Sequence, residues 1–193
     1  NSVNITGEGE DTVLQMGKTA LSGQAYAYIS ANNVSISNLT FEGTAAGYDL
    51  LKVSYRGSEA GTAIDTISLS EVTFTGKANT YLNIHGATNV TVSSCTIGTQ
   101  SSNEVEIPFS VASSQTVVVS GTSISAGAWG SAGVMYADND NYWLVTDVTF
   151  DGCTIASTVY TERGADTVKG IEVGDEWVTV PNGDNGGVAY VKK

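Results

Sequence analysis

A nine-residue phrase occurs twice in this chain, NVTVSSCTI from Asn89 to Ile97 and DVTFDGCTI from Asp147 to Ile155, and each copy carries one of the only two cysteines. Looser copies are NVSISNLTF from Asn33, TISLSEVTF from Thr66 and TVVVSGTSI from Thr116, with an opening fragment SVNITG from Ser2. Taking the first apolar residue of each as origin gives Val3, Val34, Ile67, Val90, Val117 and Val148, separated by 31, 33, 23, 27 and 31 residues. Steps of this size mark one supersecondary unit repeated along an axis, and such a unit buries its apolar face only by stacking on its neighbours. The chain is thereby restricted to a solenoid.

Within each phrase, apolar residues alternate with Ser, Thr or Asn, the pattern of a strand with one dry face. Val90 and Val92 share that face. After two polar residues the beat resumes at Cys95 and Ile97, so the chain turns and starts a second strand on the same interior. A further apolar pair precedes most origins: Tyr26 and Tyr28, Leu82 and Ile84, Phe109 and Val111. The expectation is three short strands per turn, each pairing in parallel with its counterparts above and below. Parity then places Ala27, Ile29, Lys52, Ser54, Asn83, His85, Ser110, Ala112, Met135 and Ala137 on the outer face of the column made by those upstream pairs. Two prolines and 22 glycines among abundant Ser, Thr and Val suit short strands joined by tight turns.

NVSISNLTFEG, NVTVSSCTIG and the early SVNITGEGEDTVL resemble the repeats of the right-handed parallel β-helix family, the pectin-lyase-like superfamily, over about residues 1–160. The resemblance implies an all-β fold: a right-handed, single-stranded parallel β-helix of about six rungs. Residues 161–193, including GIEVGDEWVTV and PNGDNGGVAYVKK, depart from the repeat and are expected to cap the last rung. At the other end the first residues already read as a rung, so an upstream domain or another chain is expected to cover it. The family comprises polysaccharide lyases, glycoside hydrolases, phage tailspikes and non-catalytic adhesins, so architecture does not select an activity. It does point to a bacterial secreted or cell-surface protein.

Eight basic against twenty acidic side chains give a net charge of −12, which argues against nucleic acid or an anionic membrane as partner. No apolar run of membrane-spanning length is present. In the repeat alignment Cys95 and Cys153 occupy one inward position with the Val117 copy between them. Two rungs of about 4.8 Å separate them by roughly 9.6 Å, beyond the ~7 Å reach of a disulfide. Two buried free thiols are therefore expected. Asn-x-Ser/Thr triplets at Asn4, Asn33, Asn38 and Asn89 read as by-products of the repeat and as turn asparagines, not as glycan acceptors.

Chemistry is sparse. Glycoside hydrolases of the resembled family use paired acids on the outer face of one strand column, and its lyases use an Arg or Lys base with calcium or basic groups against the uronate. The outer stripe read here holds no carboxylate, only Lys52 and the sole histidine, His85, in adjacent rungs. His85 in NIHG has a faint likeness to the Gly-His-Gly element of polygalacturonase-like enzymes, but the accompanying aspartates are missing, and an outward polar residue in a turn is the favoured reading. The most functional-looking stretch is WGSAGVMYADNDNYW, Trp129 to Trp143, within a long step between repeats, where extra residues form projecting loops. Trp129, Tyr136, Asp138, Asp140, Asn141, Tyr142 and Trp143 combine aromatic faces with polar groups as a sugar platform does. Core plugging by Tyr136 and Trp143 with a DNDN turn is the competing reading. Asp138 and Asp140 are weak candidates for calcium, lacking the other ligands of a twelve-residue calcium loop. No cofactor is otherwise indicated. Tyr55 to Asp65, with Arg56, Glu59 and Asp65, reads as a solvated loop, and Gly7 to Asp11 and Asp175 with Glu176 as solvated turns.

Two functions follow as expectations. The favoured one is a non-catalytic module acting as stalk, adhesin or glycan-binding surface, touching glycan or another surface protein through the Trp129 to Trp143 stretch. The alternative is a polysaccharide lyase or glycoside hydrolase using His85, Lys52, Asp138 and Asp140.

Overall fold

The computed structural model describes residues 2–17, 25–54, 63–98, 105–128, 131–136, 146–161, 168–182 and 187–193, without the side chains of 134–136. The described chain is a parallel β-solenoid of about five turns, counted from its first rung to its sixth. Its first rung comprises β1 (Val3–Thr6), β2 (Val13–Met16) and β3 (Ala25–Ile29), and its second β4 (Val34–Thr44) and β5 (Asp49–Val53). The third is one bent strand, β6 (Ile64–His85). The fourth holds β7 (Ala87–Ser93), β8 (Thr96–Ile97) and β9 (Val105–Ala112), and the fifth β10 (Gln115–Ser120), β11 (Ser123–Ile124) and β12 (Ser131–Tyr136). The sixth holds β13 (Val148–Asp151), β14 (Thr154–Ile155) and β15 (Thr158–Thr161). After them come β16 (Val168–Lys169), β17 (Trp177–Asn182) and β18 (Gly187–Lys192).

Every repeat origin lies on the next one. Val3 pairs with Val34, Val34 with Ile67, Ile67 with Val90, Val90 with Val117 and Val117 with Val148, all in parallel. A second interior column runs Leu14, Phe41, Phe74, Ile97, Ile124, Ile155 through the strands after the bend. Within it the Phe41 and Phe74 rings stack with centroids 5.5 Å apart. A third column joins β3, β5, β6, β9, β12 and β15. The three-strand turn expected from the phrase is therefore realised. Unequal repeat steps leave the first two columns in register, and in the third β12 slips by one residue against β15 between Ser131 and Gly133.

The bends have a local cause. Asn38, Glu71, Ser94, Gly121 and Gly152 share one place after the first strand of successive rungs, with φ of 57°, 55°, 52°, 51° and 59°. One left-handed residue per rung turns the chain from the first column into the second, which explains the Asn and Gly there. A similar set, Asn33, Thr66, Asn89 and Thr116, precedes the first column with φ between 52° and 59°. The asparagine amides are used within this framework. Asn38 Nδ2 donates to the Gly7 carbonyl at 3.1 Å and Asn89 Nδ2 to Asp65 Oδ1 at 2.7 Å, matching their reading as turn residues.

Both cysteines are free. Thr122 stands between their rungs and accepts a hydrogen bond from the Cys95 amide at 3.2 Å. Cys95 is buried as expected, but Cys153 is half-exposed. The correction has a simple origin: Cys153 is in the last full rung and borders a cavity, whereas Cys95 is covered on both sides.

Two expectations about the third column need correction. Ala27 and Ile29 are inward, in register with core Leu51 and Val53, so Tyr28 joins the outer stripe beside Lys52. The tyrosine rings misled the parity argument, since an amphipathic side chain is at home on an outer face. Met135 likewise shares the register of core Val111 and not of the outer stripe, while Ala137 lies outside the described residues. The Lys52, Asn83 and Ser110 assignments hold, as does the pairing of His85 with Ala112.

Beyond the repeat, Val168 of β16 continues the first column by pairing in parallel with Val148. The direction then reverses: β18 lies antiparallel on β15, and β17 antiparallel on β18.

Candidate functional site

The chemistry-bearing groups collect on the outer side of the third column. Tyr28, Lys52, Asn83 and Ser110 follow one another across four rungs, with His85 at the end of β6. This stripe is not an open ledge. Lys52 is only 8% exposed and Ser54 and Ser110 are buried, while Asn83 and His85 are half-buried.

A carboxylate that the sequence reading did not place here reaches the stripe from β5. Asp49 Oδ2 accepts a hydrogen bond from Asn83 Nδ2 at 2.7 Å. Burial pushes the Asp49 carboxyl above the usual carboxylate range, against the opposing pull of Asn83, the Lys52 charge and the Thr80 hydroxyl. Asp49 was missed because it precedes the recognisable apolar pair of its strand. The sole signal was an acid three residues before the sole lysine of the stripe.

His85 is held neutral. Burial, and secondarily the Lys52 ammonium, lowers its pKa to about 4 from 6.5. A depressed folded pKa means that the neutral imidazole is the stabilised form, so His85 contributes fully above pH 6.5 and loses that contribution as pH falls towards 4. With its partial exposure, this amounts to about 1–3 kcal/mol. Asp49 acts in the opposite sense, since protonation suits its buried site. Comparing urea midpoints across this range for wild type and His85→Gln is expected to show a shallower acid loss in the variant; identical curves would remove His85 as the source.

The arrangement supplies a neutral imidazole, a buried ammonium and one carboxylate of raised pKa. Perturbed groups of this kind are common at active sites. Yet glycosidic hydrolysis requires two acids flanking a bond, and a base needs reach to its proton. Lys52 and Asp49 are both buried.

The projecting segment separates into two parts. Ser131–Tyr136 is not loop but ladder strand β12, paired with β9 on one side and β15 on the other. Its alternation is hidden by small residues, SAGVMY, which carry little hydrophobic signal. The Tyr136 backbone lies opposite Ala112. Trp129, Asp138, Asp140, Asn141, Tyr142 and Trp143 lie outside the described residues, as do Arg56 and Glu59. Among the described residues no cluster of three or more His, Cys, Asp or Glu side chains is placed to hold a metal. Nor, among them, is any helix long and apolar enough to cross a membrane.

A cavity of about 230 Å³ opens at the opposite end of the sequence, between the last full rung and β17–β18. Cys153, Thr154, Glu176, Trp177 and Lys192 are among its walls, and none belongs to the Asp49–Lys52–His85 group. Lys192 Nζ lies 5.6 Å from the Trp177 ring centroid and 2.6 Å from Glu176 Oε1. The sequence reading treated Glu176 as a solvated turn and left Trp177 in the terminal segment. Only the antiparallel return of β18 brings Lys192 to them.

Comparison of the chain with protein-family models, with curated proteins and with solved structures finds no match.

Proposed function

We propose that the chain is a non-catalytic module of the pectin-lyase-like parallel β-helix kind, serving in a secreted or cell-surface protein as a stalk or adhesive surface that contacts glycan. The observation that carries this reading is the state of its acid–base groups. Lys52 is 8% exposed, and Asp49, a carboxylate beside it, is tied to Asn83. Groups committed to each other under cover are suited to holding a wall together and poorly suited to meeting a polymer. Adhesion is supported instead by aromatic and polar side chains gathered together, as around Trp177 and in the sequence from Trp129 to Trp143.

Incubation with a panel of neutral and uronate polysaccharides is expected to release no reducing ends and no unsaturated uronides. Glycan-array binding is expected to fall in either the Trp129→Ala, Trp143→Ala double variant or Lys192→Ala, and which one falls assigns the surface. Turnover abolished by His85→Ala would establish the lyase or hydrolase reading in its place, and an array without signal would remove glycan as the ligand.

A further inference from the structure

Among the described residues, Asp49 and Lys52 are the only charged side chains that are buried, at 9% and 8% exposed. Burying a charge is costly unless a partner compensates it. The two stand three residues apart in β5, and the Lys52 charge acts on the Asp49 carboxyl. Asn83 completes the group from the next rung. It is the register partner of Lys52 on the same outer stripe, and its Nδ2 donates to Asp49 Oδ2 at 2.7 Å. Neighbouring parallel strands lie about 4.8 Å apart, a gap within the reach of a lysine stem. A primary amine, a carboxamide and a carboxyl group therefore meet under cover, on strands whose backbones the ladder holds in place. Thr80 bonds the same carboxyl, and the His85 imidazole beside Lys52 stays neutral.

We infer that Lys52 and Asn83 are the precursors of an intramolecular isopeptide bond, which the chain forms by itself with Asp49 as the acid–base group. Asp49 first takes a proton from the Lys52 ammonium, exchanging two buried charges for two neutral groups. Burial, which pushes the Asp49 carboxyl above its usual range, favours that exchange. The neutral Nζ attacks Asn83 Cγ, and the Nζ–Cγ bond forms. Asp49, already hydrogen-bonded to Nδ2, gives its proton to that nitrogen; the Cγ–Nδ2 bond breaks and ammonia leaves. The carboxylate then takes the surplus proton from Nζ, so the product is a secondary amide and Asp49 ends protonated.

Desolvation is what activates a lysine as a nucleophile. Lys169 and Lys192, with side chains 60% and 39% exposed, lack that cover although each faces a carboxylate. The bond ties β5 to β6 and closes residues 52–83 into a covalent loop, which withdraws freedom from the unfolded chain. In a stack whose stability resides in contacts between neighbouring rungs, it locks one such interface. This goes beyond the stalk or adhesin reading and does not rest on it, since the bond forms whatever the module contacts.

Intact-mass spectrometry of the purified, denatured chain is expected to find it lighter than its sequence by one ammonia. A tryptic digest is expected to contain residues 19–56 joined to 78–163, with no cleavage after Lys52. Asp49→Ala and Lys52→Arg are expected to run at their full sequence masses, and Asp49→Glu to restore the loss of ammonia. A folded wild-type chain at its full sequence mass would overturn the inference. Loss of water in place of ammonia would also overturn it, because that joins Lys52 to a carboxylate. So would loss of ammonia without the joined peptide, as from an imide at one of the Asn-Gly pairs. These readings on the wild type decide the matter whether or not a variant folds, and a bond still formed in Asp49→Ala would remove Asp49 from the reaction.

Discussion

Phe74→Ala is expected to lower the unfolding free energy by about 3–5 kcal/mol, read as a fall in the urea midpoint with circular dichroism. Phe74 is fully buried at the middle of its column, stacked on Phe41 from one rung and in register with Ile97 of the next. Removing the ring strips contacts from both interfaces at once, and in a solenoid nearest-neighbour interfaces carry the stability. The void has little freedom to close, because backbone ladders hold the rungs about 4.8 Å apart. Against a typical total of about 5–15 kcal/mol the loss is large. Leu14→Ala heads the same column but is 36% exposed, and is expected to cost under about 1 kcal/mol. Equal losses at the two positions would mean that Leu14 is as well covered as Phe74.

Gly76→Ala is the second large effect, with an expected loss of about 3 kcal/mol or more and poor recovery of folded protein. Gly76 bends β6 from the second column towards the third at φ +79°, and an added Cβ would overlap the carbonyl oxygen of Gly43, its register partner one rung away. The left-handed backbone alone costs an L-residue about 1–2 kcal/mol. The overlap adds to it, since the obstructing atom is backbone held in the ladder. Glu71→Gly, five residues earlier in the same strand, is expected to move stability the other way by about 0.5–1 kcal/mol. Glu71 is exposed and adopts φ 55°, at a place that other rungs fill with Asn38, Gly121 and Gly152. Glycine relieves the conformational cost, partly offset by the greater freedom it gives the unfolded chain. Thermal unfolding of both variants checks the pair, and a stabilised Gly76→Ala would contradict the described corner.

Physical spacing explains which parts of this molecule were legible. The phrase origins from Val3 to Val148 were recoverable because each is the first apolar residue of a strand with a period of two, and a one-residue slip would turn the whole set outward. Separation of the cysteines by a rung followed from the same count. Tyr28 was misplaced because an aromatic ring with a hydroxyl satisfies either face, so alternation loses its meaning there. The start of β12 was read as part of a projecting loop and Met135 was set on the opposite face, because Ser131, Ala132 and Gly133 give no hydrophobic beat to fix the parity. Candidate chemistry was legible only in part. Lys52 and His85 could be assigned to one stripe from parity, but Asp49 joins them through a hydrogen bond from Asn83, and side-chain reach across rungs leaves no periodic trace.

The amino-acid order therefore settled the kind of object: a stack of parallel three-strand turns, with the register of its first apolar column, Val3 to Val148, named in advance. It could do so because a repeated short-range pattern has one economical way to bury itself. Tertiary structure decided what each surface offers. Burial of Lys52, the neutral state of His85 and the meeting of Lys192 with Glu176 and Trp177 all arise from contacts between residues far apart in the chain. Those contacts depend on how rungs of different length close around one another, and no local pattern encodes that closure.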